Sequence, residues 1–132
     1  MRCGSAVSGR GAAPGLNLLT QLFREARWGG GAQLSLTDIE ILRVVVWERA
    51  AGRSPSLKSL QADLSRPKTV VKYHVDQLVR RHFLYMSTDM RDRRRSLVLL
   101  TERAESLIDA FEKTVRVHVA EYQATVARTD SR

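Results

Sequence analysis

The chain of 132 residues holds one cysteine, Cys3, and three prolines, Pro14, Pro55 and Pro67. A lone thiol cannot close an intramolecular disulfide, and it excludes a structural zinc site built on several cysteines. A reducing cytoplasm is the natural setting for such a chain. The histidines His74, His82 and His118 lie far apart, with no Cys, His or carboxylate partner at i, i+4 spacing. No metal is therefore expected. No apolar run approaches the roughly 18 residues that would span a bilayer. The opening stretch MRCGSAVSGRGAAPG has no continuous apolar segment of the kind a secretory signal needs, and residues 1–14 read as a disordered tail. The Gly29–Gly31 run is not followed by the Lys-Ser/Thr of a phosphate loop, and no nucleophile-elbow motif accompanies the Ser, His and Asp residues. Neither an enzyme nor a cofactor is expected.

What the chain does have is basic charge in one place. With 43% apolar and 27% charged residues it is ordinary for a globular protein with one core, and residues 15–132 read as a single domain. The net charge is +8. Residues 53–95 contain eleven Lys and Arg against Asp63, Asp76, Asp89 and Asp92, so nearly the whole excess lies there. Charge concentrated in this way is the footprint of a phosphate binder.

Periodicity supplies the framework. Leu18, Leu19, Leu22, Phe23 and Ala26 recur at helical spacing over Leu16–Trp28, before the glycine run. A second helix is expected to open with Thr37 as its cap, Glu40 as the capping-box partner and Leu36 stapled onto Ile41, burying Ile39, Leu42, Val45 and Val46. Gly52 marks its end. Ser56 opens a third helix that buries Leu57, Leu60 and Leu64, and Ser65-Arg66-Pro67 breaks it. The fourth helix, about Pro67 to His82, sets Val71, Val75, Leu78 and Val79 against Thr69, Tyr73, Asp76 and Arg80. Phe83–Met86 and Arg95–Leu100 read as strands joined by an arginine-rich loop over residues 87–94. Thr101-Glu102 starts a last helix, to about Ala127, striped by Leu107, Phe111, Val115, Val119 and Tyr122. The fold class is mainly α with a small β-hairpin (α+β): a winged helix-turn-helix flanked by N- and C-terminal helices.

A helix entering the major groove of DNA presents mainly its first turns. Here those hold Lys68, Thr69, Val70, Lys72 and Tyr73. The lysines suit phosphates or guanine acceptors, Thr69 and Tyr73 can donate to phosphates or base edges, and Val70 suits a thymine methyl. Asp76 would repel phosphate, so it either accepts from a cytosine amino group or faces a neighbouring arginine. The loop then places Arg91, Arg93, Arg94 and Arg95 around Asp92. Arginine is favoured in narrow minor grooves, where the negative potential is deepest.

Asp92-Arg93-Arg94, followed by Leu100-Thr101-Glu102-Arg103-Ala104-Glu105, with Val75-Asp76-Gln77-Leu78 upstream and Leu36-Thr37 further back, closely resembles the MarR/SlyA family of bacterial winged-helix transcription regulators. The resemblance covers roughly residues 34–110. It implies that Arg94 enters the minor groove, that Asp92 orients it, and that Arg91, Arg93 and Arg95 contact phosphates or form ion pairs within the wing. It also implies a homodimer, with Leu18 and Leu22 on the first helix and Leu107, Phe111, Val115, Val119 and Tyr122 on the last as pairing residues.

The chain departs from the family pattern at several points. His82 stands where many members carry glycine, and histidine takes a left-handed cap only moderately well, so this turn is expected to differ locally. The spacing between the first helix and Thr37 is short, and one long helix follows the wing, so the dimer arm is trimmed. Cys3, in the tail, is a poor match for the peroxide-sensing cysteine of some members. The function expected is that of a sequence-specific regulator, a repressor, in the nucleoid-associated cytoplasm. It would bind double-stranded DNA as a homodimer, reading a pseudo-palindrome through a unit at about residues 56–101. Any small-molecule effector is unidentified. The rival reading is a winged-helix adaptor that binds protein or RNA.

Overall fold

The computed structural model describes residues 13–28 and 33–130, without the side chains of 25–28. Cys3, the Gly29–Gly31 run, the Ala26 side chain and nearly all of the expected tail lie outside this description. The first helix, α1, covers Pro14–Trp28, so it begins two residues before the expected Leu16. A proline suits a first helical turn, where its missing N–H would have no intrahelical acceptor.

The second helix, α2, covers Leu36–Ala50, and its cap differs from expectation. The Ser35 Oγ accepts the Asp38 N–H at 3.1 Å, and the Asp38 carboxylate accepts the Ser35 N–H at 2.9 Å. Thr37 is instead buried in the first turn. Glu40 turns away to the Arg66 Nε at 2.7 Å, and Leu36 is an exposed helical residue rather than a staple ahead of the cap. The buried face is Ile41, Leu42, Val44 and Val45, with Ile39 and Val46 half-buried, so the core stripe is displaced from the one expected. Gly52, at φ +77°, closes α2. Its N–H reaches the Arg49 carbonyl at 2.9 Å, and the Arg53 N–H reaches the Glu48 carbonyl at 2.8 Å. This pair of bonds is a Schellman motif.

Helix α3, Leu57–Asp63, is capped by Ser56, whose hydroxyl accepts the Ser59 N–H at 3.0 Å. At seven residues it is too short to persist alone. Leu60 and Leu64 are buried and anchor it, while Leu57 is only half-buried. Helix α4, Lys68–Arg80, buries Val71, Val75 and Leu78 and keeps Thr69, Tyr73, Asp76 and Arg80 exposed, as the periodicity predicts, while Val79 is only half-buried. It ends before the expected His82. The His82 N–H reaches the Val79 carbonyl at 3.0 Å, and the Phe83 N–H reaches the Leu78 carbonyl at 2.9 Å. His82 sits at φ +62°, the conformation a glycine would take. The turn therefore keeps its left-handed form without glycine, contrary to expectation.

Strands β1, Leu84–Thr88, and β2, Ser96–Leu100, pair antiparallel with Leu84 opposite Leu100 and Thr88 opposite Ser96. Relative to the sequence reading, β1 starts one residue later and takes in Ser87 and Thr88, while β2 loses Arg95. The Val98 N–H donates to the Pro55 carbonyl at 2.8 Å, and Ser56 bridges Leu97, so the segment before α3 extends the hairpin edge. The last helix, α5, covers Glu102–Asp130 and runs beyond the expected Ala127. The Thr101 Oγ accepts the Ala104 N–H at 3.1 Å.

Two compact units emerge: Leu34–Ile108, and a second that holds α1 with α5 from Asp109. The first contains the core of α2, α3, α4 and the hairpin, centred on Ile41, Val45, Leu60, Val71, Leu78, Phe83 and Val98. In α5 only Ala104 is buried. Leu107, Phe111, Val115, His118, Val119 and Tyr122 form a half-buried row at helical spacing. Among the described residues no helix is long and apolar enough to cross a membrane.

Candidate nucleic-acid interface

Two features of the Leu34–Ile108 unit carry the residues singled out from sequence. The first is the outer face of α4. Lys68, Thr69, Lys72 and Tyr73 are exposed there, and Val70 is half-buried. The helix starts at Pro67 without a side-chain cap, and Gln61 of α3 donates to the Lys68 carbonyl at 3.1 Å. Asp76 faces a lysine, not an arginine: the Lys72 Nζ lies 2.8 Å from its Oδ2. An exposed pair one helical turn apart is weak. Lys72 can therefore leave Asp76 for a phosphate at little cost.

The second feature is the wing tip, residues 89–95, where hydrogen bonds spread the arginines. Asp89 accepts the Arg91 N–H at 2.9 Å and pairs with the Arg95 guanidinium at 3.2 Å, while its own N–H donates to the Arg95 carbonyl at 3.0 Å. The Asp92 Oδ1 accepts both the Arg94 Nε and the Arg94 N–H, each at 3.1 Å. The Arg94 side-chain bond, then its backbone N–H, then the nearby Arg95 charge hold the Asp92 carboxyl below its ordinary range. The Arg94 side chain nevertheless stands 92% exposed. Arg91 and Arg93 are exposed and form no ion pair among the described residues. Of the loop arginines, then, Arg95 is an internal strut, Arg94 is aimed by Asp92, and Arg91 and Arg93 face solvent.

Sequence reasoning missed what holds α4 from behind. The Asp38 carboxylate lies 2.9 Å from the His74 Nδ1 and 3.6 Å from the Arg81 Nη1. His74, which has no partner at helical spacing in the sequence, is an internal partner of α2. Phe83 also carries two guanidinium groups, with Arg103 Cζ at 4.6 Å and Arg81 Cζ at 5.4 Å from its ring centroid. Arg103 donates to the Arg81 carbonyl at 3.0 Å, and the Thr101 hydroxyl donates to the His82 carbonyl at 2.6 Å. These links tie the end of α4 to the start of α5. No local pattern announces partners separated by 19 to 43 residues. Among the described residues no cluster of three or more His, Cys, Asp and Glu side chains could hold a metal ion.

No family model matches the chain, and no curated protein matches it by sequence. Solved structures do share its fold. A mutant of MepR from S. aureus superposes with a TM-score of 0.67 at 16% identity, covering 86% of this chain and 77% of that one. AbsC, a MarR family transcriptional regulator from Streptomyces coelicolor, gives 0.62 at 16% identity, covering 92% and 80%. CouR from Rhodococcus jostii, solved bound to p-coumaroyl-CoA, gives 0.61 at 18% identity, covering 91% and 83%. At these identities the likeness is one of fold: a mainly α winged helix with a two-stranded hairpin.

Proposed function

We propose that the protein is a sequence-specific, double-stranded-DNA-binding transcription regulator of MarR-like type, not an enzyme. Its reading unit is residues 56–101, inside the Leu34–Ile108 unit. Helix α4 enters the major groove with Lys68, Thr69, Val70, Lys72 and Tyr73, and Arg94 enters the adjoining minor groove. Arg91 and Arg93 contact phosphates. The observation that carries this reading is the aimed arginine: Asp92 holds Arg94 at 3.1 Å while its side chain stays 92% exposed. A guanidinium oriented at its base and offered to solvent suits a groove of negative potential.

The second part of the proposal is a homodimer. The apolar row of Leu107, Phe111, Val115, Val119 and Tyr122 is only half-buried within one chain, and Leu16, Leu19 and Phe23 of α1 are exposed. Together with Leu18 and Leu22 they supply apolar surface for a second copy. A two-fold pair would present two α4 helices to a pseudo-palindrome. A repressor in the nucleoid-associated cytoplasm fits this reading.

The deciding experiment is selection of bound duplexes from a random pool, followed by titration of the selected duplex with the Arg94→Ala variant. A two-fold repeat spaced about one helical turn, with binding weakened by the substitution, is the expected result. No enriched duplex, or affinity indifferent to Arg94, would overturn the reading in favour of a winged-helix adaptor for protein or RNA.

A further inference from the structure

Asp38 is the one charged side chain among the described residues that belongs to the buried set, at 4% exposure. Its carboxylate is fully engaged. Oδ2 accepts the Ser35 N–H at 2.9 Å, Oδ1 accepts from the His74 Nδ1 at 2.9 Å, and the Arg81 Nη1 lies 3.6 Å from Oδ2. The carboxylate sits in the first turn of α2, where the helix dipole favours negative charge. His74 projects from the middle of α4, and Arg81 caps its C-terminal end. One buried anion thus grips the DNA-facing helix at two points seven residues apart, about 10 Å along the axis.

The rest of the seat of α4 is apolar. Val71, Val75 and Leu78 pack against the core, and such packing has little directional preference. A buried, fully bonded carboxylate is different, because any rotation that lengthens its bonds leaves charge unpaired in a low-dielectric interior. Rolling a helix of about 5–6 Å outer radius by about 10° moves a side-chain tip by about 1 Å. Hydrogen bonds to base edges tolerate only a few tenths of an ångström beyond their usual length.

We infer that Asp38 is a positioning residue for the DNA-reading helix: through His74 and Arg81 it sets the roll of α4, and hence where Lys68, Thr69, Lys72 and Tyr73 meet the bases. The inference rests on the DNA-reading role proposed for α4. Asp38 touches no nucleic acid itself. Its loss should therefore lower discrimination between sequences and spare the phosphate contacts.

The test compares two probes: the duplex selected with the wild-type protein, and a scrambled duplex of equal length. Binding is measured at several salt concentrations and at a temperature where circular dichroism shows each variant folded. Asp38→Asn and His74→Leu should each reduce the ratio of selected to scrambled affinity by about tenfold, the scale of one lost base contact. The salt slope should stay at the wild-type value, since no phosphate contact is removed. His74→Asn, whose amide nitrogen stands near the position of Nδ1, should recover most of the ratio. Should Asp38→Asn not fold, the two His74 variants carry the test, since that side chain is 23% exposed and less demanding to replace.

An unchanged ratio in folded His74→Leu would overturn the inference, as would equal losses on both duplexes, the mark of a merely structural role. A wild-type protein that prefers no duplex would remove the functional reading and this inference together. A wild-type preference that Arg94→Ala weakens and His74→Leu leaves intact would remove the inference alone.

Discussion

Asp92 holds Arg94 by two bonds to one oxygen, from the Nε and from the backbone N–H, both at 3.1 Å. The aspartate thereby fixes the base of the arginine side chain and leaves its far end in solvent. The same two bonds stabilise the charged form of Asp92 and hold its carboxyl below the ordinary range. Because the bonded pair needs the carboxylate, the Asp92–Arg94 pair persists through the ordinary Asp range and is lost only as pH falls through the lowered value.

A carboxyl titration followed by NMR checks this. Asp92 should titrate below the ordinary aspartate value of about 3.9, and Arg94→Ala should return it towards that value. An Asp92 midpoint at or above the ordinary value in the wild-type protein would contradict the pairing.

The loop arginines should separate by role in duplex titrations over a range of salt. Arg91→Ala and Arg93→Ala should each reduce the salt slope by about one unit, as expected for one lost phosphate contact. Arg95→Ala should act mainly on the wing itself, since that guanidinium braces Asp89 at 3.2 Å. A slope unchanged in both Arg91→Ala and Arg93→Ala would place the solvent-facing arginines away from the backbone.

The start of α2 offers a stability test. Ser35→Ala should cost about 1 kcal/mol in urea unfolding, the usual loss for an N-cap side chain. Glu40→Ala should cost less, because it removes only the partly exposed pair with Arg66, and such pairs contribute about 0–1 kcal/mol. The opposite order would restore Thr37 and Glu40 as the cap.

Gly52 and His82 occupy equivalent positions in two Schellman motifs, at φ +77° and +62°. His82→Gly should raise stability by about 0.5–1 kcal/mol, since the left-handed conformation burdens a residue with a Cβ. Gly52→Ala should lower it by about 1 kcal/mol through backbone strain alone, because an added Cβ meets nothing within 4 Å. Thermal or urea midpoints measure both. A His82→Gly variant less stable than the wild type would show that the imidazole contributes more than the strain it imposes.

For the pairing surface, light scattering at micromolar concentration should give a dimer mass for the wild-type chain and a monomer mass for Phe111→Glu. The substitution puts a carboxylate into the apolar row of α5. A wild-type monomer would refute the terminal-helix dimer.

Element order, the two faces of α4 and the arginine tip were all determined by the sequence alone. Each depends on residues within a turn or two of one another: Val71, Val75 and Leu78 at helical spacing, or Asp92 two residues from Arg94. Boundaries were less legible where two local solutions compete. Ser35-x-x-Asp38 and Thr37-x-x-Glu40 both satisfy the capping-box pattern, and only burial of Thr37 and capture of Glu40 by Arg66 decide between them. Ser87 and Thr88 resemble turn residues until they pair with Leu97 and Ser96. His82 shows the limit of propensity: the carbonyls of Leu78 and Val79 must be satisfied, and that requirement overrides the reluctance of a histidine to turn left-handed. The grip of Asp38 on His74 was decided by tertiary structure alone. The two residues lie 36 positions apart, and a hydrogen bond across that distance exists only after α2 and α4 have packed on a shared apolar core.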